Sequence, residues 1–328
     1  MKSDMKTGSM NRCLCCYREL PAGVTGYHPS CARKLFGRDS APLLPYTRDN
    51  IDELALNVLK TSASVTGVQV KLSLDLNRGG RNEQDKLTIV GLWGGYILKP
   101  QSSTYKSLPE LEDVTMKMAE IAEIKTAVHG LIRMADGEIA YITKRMDRTA
   151  DGKKISMLDM CQLTNRLTEH KYLGSYVQLA EVIGKYSTAG MLDVQHFWEI
   201  VLFSWITGNS DMHCKNFSLI ETPESGYKLS PAYDLLAVLL TGINDPDELA
   251  MPLAGYMHDY RKAIAGYNRK SFILAMEESG IPEKVGDKIV GRMKSHKDDW
   301  FRTLDMSFLS EELKLAYKNL IVERLSRL

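Results

Sequence analysis

The chain has 328 residues, of which 44% are hydrophobic and 25% charged, as is ordinary for a globular protein with one large or two moderate cores. Its 42 basic and 41 acidic residues leave a formal net charge of +1, which offers no overall attraction to nucleic acid or to an anionic membrane. The most apolar segment, Met191–Ile206, is too short to cross a bilayer, and the N-terminus lacks the apolar core of a signal peptide. We therefore expect a cytoplasmic protein that neither binds nucleic acid directly nor enters a membrane.

A cluster of cysteines lies close to the N-terminus. Cys13-x2-Cys16 and His28-x2-Cys31 are separated by eleven residues that include one proline and two glycines. Three thiolates and one imidazole at this spacing suit a tetrahedral zinc ion, and the turn residues allow the two ligand pairs to meet. The alternative is a loose arm of reduced, unliganded cysteines. On the zinc interpretation Cys15 is a spare thiol, and no disulfide framework is expected.

Beyond this cluster the chain changes from strand-like to helix-like patterns. A proline-containing linker and a short amphipathic helix are predicted over 38–60. Alternating apolar residues around glycine turns predict strands within 64–82, 86–99 and 138–148, and an acidic first turn with helical spacing predicts a helix over 108–124. From about residue 156 onward helical spacing dominates, with helices predicted at 176–186, 191–206, 269–279, 282–295 and 311–328.

This order predicts an α+β fold with two lobes and a small N-terminal arm. The predicted domains are a Cys/His arm over 1–37, the linker and short helix over 38–60, a sheet-rich N-lobe over 61–147 and a helical C-lobe over 148–328. A sheet-rich lobe followed by a helical lobe is the architecture of protein kinases. The polar residues can therefore be compared with the few groups that phosphoryl transfer requires.

Each of these groups has a candidate. In the stretch TGNSDMHCKNFSL, directly after the apolar 191–206 segment, Asp211 and Asn216 have the spacing of a kinase catalytic loop, with Asp as base and Asn as metal ligand. Eighteen residues beyond Asn216, after a predicted hairpin, Asp234 is placed to be a second magnesium ligand. Lys99 ends a predicted strand as the candidate phosphate lysine, and Glu112 on the next helix is its candidate ion-pair partner.

Four motifs together resemble the HipA-type Ser/Thr kinases, the toxins of bacterial toxin–antitoxin systems: SVTGVQVKLSL, YILKP, GNSDMHCKNF and PAYDLL. The resemblance covers residues 62–328. It implies a kinase fold with ATP and magnesium bound between the lobes. It also implies that Asp211 is the catalytic base, that Asn216 and Asp234 bind the metal, and that Lys99 contacts the phosphates. The glycine-rich-loop, His-Arg-Asp and Asp-Phe-Gly motifs of eukaryotic-type kinases do not occur in this sequence.

The resemblance also implies a self-inactivating serine. In the family, the segment matching SVTGVQVK covers the ATP phosphates and carries a serine that the kinase phosphorylates, and Ser64 holds that position, with Ser62 and Thr66 as alternative acceptors. His213 is expected to support the catalytic loop by hydrogen bonding, because Asp211 already serves as the base. The full set of positions matched to the nucleotide site is Ser64, Gly67, Val68, Gln69, Lys71, Lys99, Glu112, His213, Lys215 and Tyr233.

The N-terminal part departs from the family pattern. Full-length members begin with a further subdomain of roughly a hundred residues, too large for the sixty-odd residues ahead of the serine segment. The sequence thus resembles shortened members whose N-terminal subdomain is a separate small protein. The implied partners are that protein, an antitoxin, and a phosphorylated protein of the translation machinery such as an aminoacyl-tRNA synthetase.

Other interpretations remain open at this level. Singly, Asp-x4-Asn is most often a solvated loop or helix cap. The alternatives for the other candidates are a strand-end surface lysine for Lys99, a turn cap for Ser64, and an acidic residue suited to a helix N-terminus for Glu112. Two other functions are a small-molecule phosphotransferase and an inactive zinc-containing scaffold or nucleic-acid-binding protein. The ordered set of Lys99, Asp211, Asn216 and Asp234 and the neutral net charge argue against the scaffold. The small-molecule phosphotransferase shares the two-lobed plan but would not need a phosphorylatable serine in the segment that covers the phosphates.

Overall fold

The computed structural model describes residues 11–51, 70–80, 83–91, 93–149, 151–223, 226–242, 247–255 and 266–328. The chain forms two compact units, which we call the sheet unit, Met1–Pro100 with Val128–Lys144, and the helical unit, Gln101–Ala127 with Arg145–Leu328. The predicted α+β class is confirmed. Within the ranges described, no helix has both the length and the apolar character that a membrane span requires.

The sheet unit is built on an antiparallel five-stranded sheet in the order β2-β1-β3-β5-β4. In β1 the buried Leu72 and Leu74 alternate with more exposed residues, which is the pattern of a strand with one face on a core. The strands β4 and β5 are buried along most of their length. The strands are β1 (Leu72–Asn77), β2 (Lys86–Val90), β3 (Tyr96–Lys99), β4 (His129–Arg133) and β5 (Ile139–Lys144).

A short helix, α1 (Pro29–Phe36), begins at the second zinc-type ligand pair, with His28 at its N-cap and Cys31 in its first turn. Proline in its first turn and Gly37 at its C-cap, with φ 71°, mark its two ends, since proline suits a helix start and glycine the left-handed exit. The Phe36 ring contacts the rings of Tyr27 and Tyr96, with centroids 5.5 Å and 5.9 Å away. The N-terminal arm is therefore packed on the sheet, not loose.

The helical unit contains longer helices and a small sheet in the order β6-β7-β8. Its strands are β6 (Met157–Asp159), β7 (Ser218–Thr222) and β8 (Gly226–Leu229). Its helices are α2 (Leu108–Ile121), α3 (Met160–Leu163), α4 (Tyr176–Tyr186), α5 (Met191–Ile206), α6 (Arg269–Glu278), α7 (Glu283–Ser295), α8 (Lys297–Met306) and α9 (Glu311–Ser326).

Helix α2 belongs to the helical unit, although the sequence prediction places it within 61–147. The Trp300 indole N–H donates to the carbonyl of Met118 at 2.9 Å, and the Thr115 and Tyr317 hydroxyls are 2.7 Å apart. All these groups are buried. These bonds to α8 and α9 explain the grouping, and the four domain boundaries themselves stay a prediction.

Helix α5 forms the centre of the helical unit. It is buried on nearly every side from Phe197 onward, and Trp198 and Trp205 have 0% exposure. Full burial of a large apolar side chain stabilises a fold by about 2–3 kcal/mol, so this helix is a rigid support for the loop that leaves its C-terminus. The Phe197 ring packs against Phe217, which precedes β7, with centroids 4.8 Å apart. The segment between α5 and β7 is thus held at both ends.

The helices predicted from residue 176 onward and the 217–230 hairpin are confirmed to within a few residues. The helix predicted over 108–124 ends at Ile121, because Glu123 adopts a left-handed conformation with φ 63° and the Ile124 N–H bonds back to Ala119. The predicted segment 52–60 lies outside the described residues. Helices α1, α3 and α8 and strands β4 and β6 were not among the predicted elements.

Candidate active site and metal centre

The candidate catalytic loop begins where helix α5 ends. Gly208 has φ 73°, and a Cβ there would lie 2.6 Å from Leu320 Cδ2, so both conformation and space require glycine. The Asn209 N–H then donates to the carbonyl of Ser204 at 2.8 Å and closes the last turn. The predicted helix stop at these two residues is confirmed, and the loop leaves a buried support in a defined direction.

Asp211 is held by its backbone while its carboxylate remains accessible. Its N–H donates to Asn209 Oδ1 at 3.3 Å, and its carbonyl accepts from Asn216 Nδ2 at 3.0 Å. The side chain retains 47% of its exposure, and Oδ1 accepts a 2.7 Å hydrogen bond from the Tyr172 hydroxyl. An accessible carboxylate on a fixed backbone can accept the proton of a hydroxyl group.

His213 is buried beside Asp211. Burial lowers its pKa, the charge of Lys171 lowers it further, and the charges of Asp211 and Asp234 partly offset both effects. Its Nε2 lies 3.9 Å from Asp211 Oδ2, beyond hydrogen-bond distance. Among the described residues, His213 Nδ1 is buried without a hydrogen-bond partner. Burial therefore favours the neutral ring, and its Nδ1 is a polar atom that a ligand can satisfy.

The remaining loop residues are anchored by Tyr233 and by two groups that the sequence did not single out, Asp159 and Tyr176. Lys215 Nζ donates to Asp159 Oδ2 at 2.7 Å, and the Lys215 carbonyl accepts from the Tyr233 hydroxyl at 2.9 Å. The fully buried Tyr176 donates its hydroxyl to the carbonyl of Met212 at 2.9 Å. Asp159 also caps α3, and no local pattern links it to a loop more than fifty residues away. Lys215 and Tyr233 therefore support the loop's shape in this structure.

Two oxygen donors suited to magnesium lie in this unit. Asn216 uses its amide nitrogen to hold the Asp211 carbonyl, so the other atom of its side-chain amide is a carbonyl oxygen. Asp234 has φ 60°, a left-handed conformation that costs strain and recurs at functional sites. Carboxylate and amide oxygens are ligands that magnesium prefers, so these residues fit the metal that the family resemblance implies.

The other predicted nucleotide residues that the structure describes are divided between the two units. In the sheet unit Lys99 is 4% exposed, with Nζ 5.4 Å from the centroid of the Tyr141 ring, whereas Lys71 is exposed. A strand-end surface lysine would not be buried in this way. Glu112 is buried in α2 of the helical unit. The serine segment, with Ser62, Ser64, Thr66, Gly67, Val68 and Gln69, lies outside the described residues.

The four predicted zinc ligands converge. One ligand atom each from Cys13, Cys16, His28 and Cys31 lies within 4.8 Å of the others. His28 Nδ1 is 3.4 Å from Cys16 Sγ, while its Nε2 is 3.0 Å from the carbonyl of Glu19, which favours a proton on Nε2 and leaves Nδ1 for a metal. A hydrogen bond from Cys16 lowers the pKa of Cys13 to about 4 against the opposing effect of burial, and the pKa of Cys16 is raised by the same bond.

This donor set is chemically that of a structural zinc site. Three sulfurs and one imidazole nitrogen form a closed four-ligand set, with no position left for a substrate. The hairpin that carries the first pair is closed by the Cys13 N–H donating to the carbonyl of Arg18 at 2.9 Å. The second pair opens helix α1, with His28 at its N-cap.

The family model for the HipA-like C-terminal domain matches residues 63–300. The chain belongs to this family. It is 37% identical over 240 residues to the Sinorhizobium fredii protein named "Putative kinase Y4dM", covering 68% of this chain and 54% of that protein. It is 26% identical over 291 residues to the Haemophilus influenzae protein named "Putative kinase", covering 82% of each. The chain thus spans about half the length of the Sinorhizobium relative.

A solved structure shows the same fold. The toxin–antitoxin complex of HipA, HipB and operator DNA from Shewanella oneidensis contains a chain that matches with a TM-score of 0.66 and 22% sequence identity. The match covers 87% of this chain and 73% of that one. Together with the relatives named as kinases, it confirms the resemblance drawn from the four sequence motifs.

Proposed function

We propose that this chain is an ATP- and magnesium-dependent Ser/Thr protein kinase of the HipA type. The observation that carries the proposal is the catalytic loop: an accessible Asp211 carboxylate whose backbone is fixed by the side chain of Asn216. Phosphoryl transfer needs little covalent chemistry from the protein, so a carboxylate held in place and a few charged groups suffice.

Each proposed role follows from the chemistry of the side chain. Asp211 accepts the proton of the attacking hydroxyl and orients it. Asn216 and Asp234 hold magnesium, which when bound neutralises charge on the phosphates. Lys99 binds the phosphates as a point charge, and its burial lowers the dielectric around that charge and strengthens the attraction. His213 is proposed to support the loop from its buried position beside Asp211, where burial lowers its pKa.

The remaining nucleotide-site residues are assigned by family resemblance. Ser64 lies in the segment proposed to cover the phosphates, together with Gly67, Val68, Gln69 and Lys71. A phosphate on this segment adds close to two negative charges, so repulsion from ATP would displace the segment and inactivate the kinase. Glu112 is the proposed partner of Lys99.

The proposed biological setting is that of a toxin. The Shewanella oneidensis HipA is found with HipB and operator DNA, which supports a proposal that this chain has an antitoxin partner of its own. The proposed substrate is a protein of the translation machinery, with an aminoacyl-tRNA synthetase as one candidate. A separately encoded N-terminal subdomain is a further proposed partner.

The test is phosphoryl transfer by the purified chain with γ-labelled ATP and magnesium, alone and then with a cell extract. Label on a protein is expected with the wild type and not with Asp211→Asn, which keeps the shape of the side chain but removes its basicity. Label only on small molecules would favour a small-molecule phosphotransferase. Failure to bind ATP and to transfer phosphate in both conditions would favour the inactive scaffold.

A further inference from the structure

The Cys/His cluster lies next to β4, an edge strand of the five-stranded sheet. Lys99 lies on β3 of the same sheet. We propose that Cys13, Cys16, His28 and Cys31 bind one zinc ion, and that the ion braces strand β4 and, through it, the Tyr141–Lys99 contact. The part concerning nucleotide binding rests on the proposed phosphate-binding role of Lys99. All of these residues lie in the sheet unit.

The first step is the contact between the arm and strand β4. Leu131, in the middle of the strand, donates its N–H to the carbonyl of Leu14 at 3.0 Å, and its carbonyl accepts the hydroxyl of Tyr27. Leu14 follows the ligand Cys13, and Tyr27 precedes the ligand His28. Both bonds to the strand are therefore made by immediate neighbours of metal ligands.

The second step is that β4 depends on these bonds. Strand β4 is the last strand of the five-stranded sheet, so only one of its two edges is paired with another strand of that sheet, namely β5. Leu131 is 0% exposed, and its backbone groups need partners on the other edge because water does not reach them. Gly130 adds a close approach: a Cβ there would lie 3.2 Å from Leu35 Cδ2 and 3.7 Å from the carbonyl oxygen of Leu14.

The third step leads across the sheet to the candidate phosphate lysine. Leu131 pairs with Tyr141 on β5, and Tyr141 pairs with Lys99 on β3. The Lys99 ammonium also lies 5.4 Å from the centroid of the Tyr141 ring, a cation–π distance. Strand β3, which carries Lys99, has a second connection to the arm, because the Tyr96 hydroxyl donates to the carbonyl of Leu35 in α1 at 3.2 Å.

The consequence is a metal requirement for the sheet. Ligand pairs of this kind are rarely held together without their ion, because the free thiolates repel one another and the connecting chain regains its conformational freedom. Loss of zinc would release Leu14 and Tyr27 from Leu131. Strand β4 would then open more often, and Lys99 would lose the fixed ring beside it.

The test combines metal analysis, hydrogen exchange and nucleotide titration on the full-length chain. Protein purified without chelator is expected to hold one zinc per chain. Removing it with EDTA is expected to speed exchange of the β4 and β5 amides by about tenfold or more, while α5 in the helical unit keeps its protection. Affinity for ADP with magnesium is expected to fall, and added zinc should restore both.

Two variants separate the brace from metal binding. Tyr27→Phe removes the hydroxyl bond to Leu131 without touching a ligand, so zinc content should be unchanged while the β4 amides exchange about fivefold faster. Cys15→Ala removes the neighbouring thiol that is not one of the four ligands and should change neither quantity.

The outcomes are distinguishable. Less than a tenth of an equivalent of zinc overturns the metal site. If the purified chain holds one zinc but hydrogen exchange of the β4 and β5 amides does not change when that zinc is removed, the brace is overturned, whatever the kinase assay shows. Faster exchange with unchanged nucleotide affinity overturns the link to Lys99, and the proposed kinase activity is tested separately by Asp211→Asn.

Discussion

The hydrogen bond between Tyr172 and Asp211 leads to a quantitative prediction. The Tyr172 hydroxyl lies 2.7 Å from Asp211 Oδ1, within the hydrogen-bond distance that the hydroxyl of a phosphate acceptor would also need for proton transfer. Tyr172→Phe removes this oxygen alone. The ring contacts with His213, at 5.1 Å between centroids, and with Lys171 Nζ, at 4.9 Å, do not depend on the hydroxyl.

The free energy of the Tyr172–Asp211 hydrogen bond follows from the exposure of the two side chains. A hydrogen bond to a buried charged group contributes about 1.5–3 kcal/mol, but both partners here are nearly half exposed and water competes, so about 1 kcal/mol is appropriate. A phosphate acceptor must displace the Tyr172 hydroxyl from Asp211 before it can bind there. The cost of about 1 kcal/mol raises the apparent KM for the acceptor by about fivefold. We therefore expect Tyr172→Phe to lower KM for the acceptor about fivefold and to leave kcat close to the wild-type value.

The assay is steady-state phosphorylation of a synthetic peptide covering residues 60–72, with saturating ATP and magnesium. Tyr186→Phe is the matched control, because Tyr186 is equally exposed and also has a lysine, Lys185, over its ring, at 5.0 Å. It should change neither constant. A fall in kcat/KM of about tenfold in Tyr172→Phe would refute this reasoning and show that the hydroxyl assists transfer.

Three further predictions concern the metal, the serine segment and acid stability. Asp234→Ala should weaken magnesium-dependent ATP binding by about tenfold or more, whereas Asp211→Ala should abolish transfer and keep most of that affinity. Calorimetry with and without magnesium decides, and equal losses in both variants would show that the roles of the two carboxylates are wrongly assigned. Mass spectrometry should find phosphate on residues 62–66 only when Asp211 is present, and Ser64→Asp should bind ATP more weakly; a loop unmodified after long incubation ends the self-inactivation hypothesis. Burial opposes ionisation of Glu248, but hydrogen bonds from Arg327 and Trp205 outweigh it and lower its pKa to about 2. The difference in stability between the wild type and Glu248→Gln should therefore be largest above the ordinary pKa of 4.5 and vanish as pH falls toward 2. Thermal unfolding of both proteins over this pH range measures the difference, and a difference that does not change with pH contradicts the prediction.

Much of the fold and of the candidate site is local enough to be predicted from sequence. Helix α5 has an almost continuous apolar sequence and a glycine at its exit, so both its burial and its end are encoded within a few residues. The spacing of Asp211, Asn216 and Asp234 can be recognised in the sequence because the candidate catalytic loop and the following hairpin are short. The zinc-type ligands are likewise paired by spacing, and the structure brings all four together.

Other features depend on contacts between distant segments, and only the tertiary structure decided them. Nothing in the stretch around Tyr172 predicts a bond to Asp211, 39 residues away, and Asp159 is still more remote from Lys215, at 56 residues. Helix α2 has the periodicity of any amphipathic helix, and its Trp300 and Tyr317 partners assign it to the helical unit.

The relation of the arm to the sheet is the clearest case. Cysteine spacing predicts a metal site but not the surface on which it rests, because the bonds that Leu131 makes to Leu14 and Tyr27 connect segments more than a hundred residues apart. Backbone hydrogen bonds of this kind use groups that every non-proline residue possesses, so they leave no trace in residue type. The sequence by itself therefore determined which candidate ligands and catalytic residues are present, and the packing of distant segments decided which elements they contact.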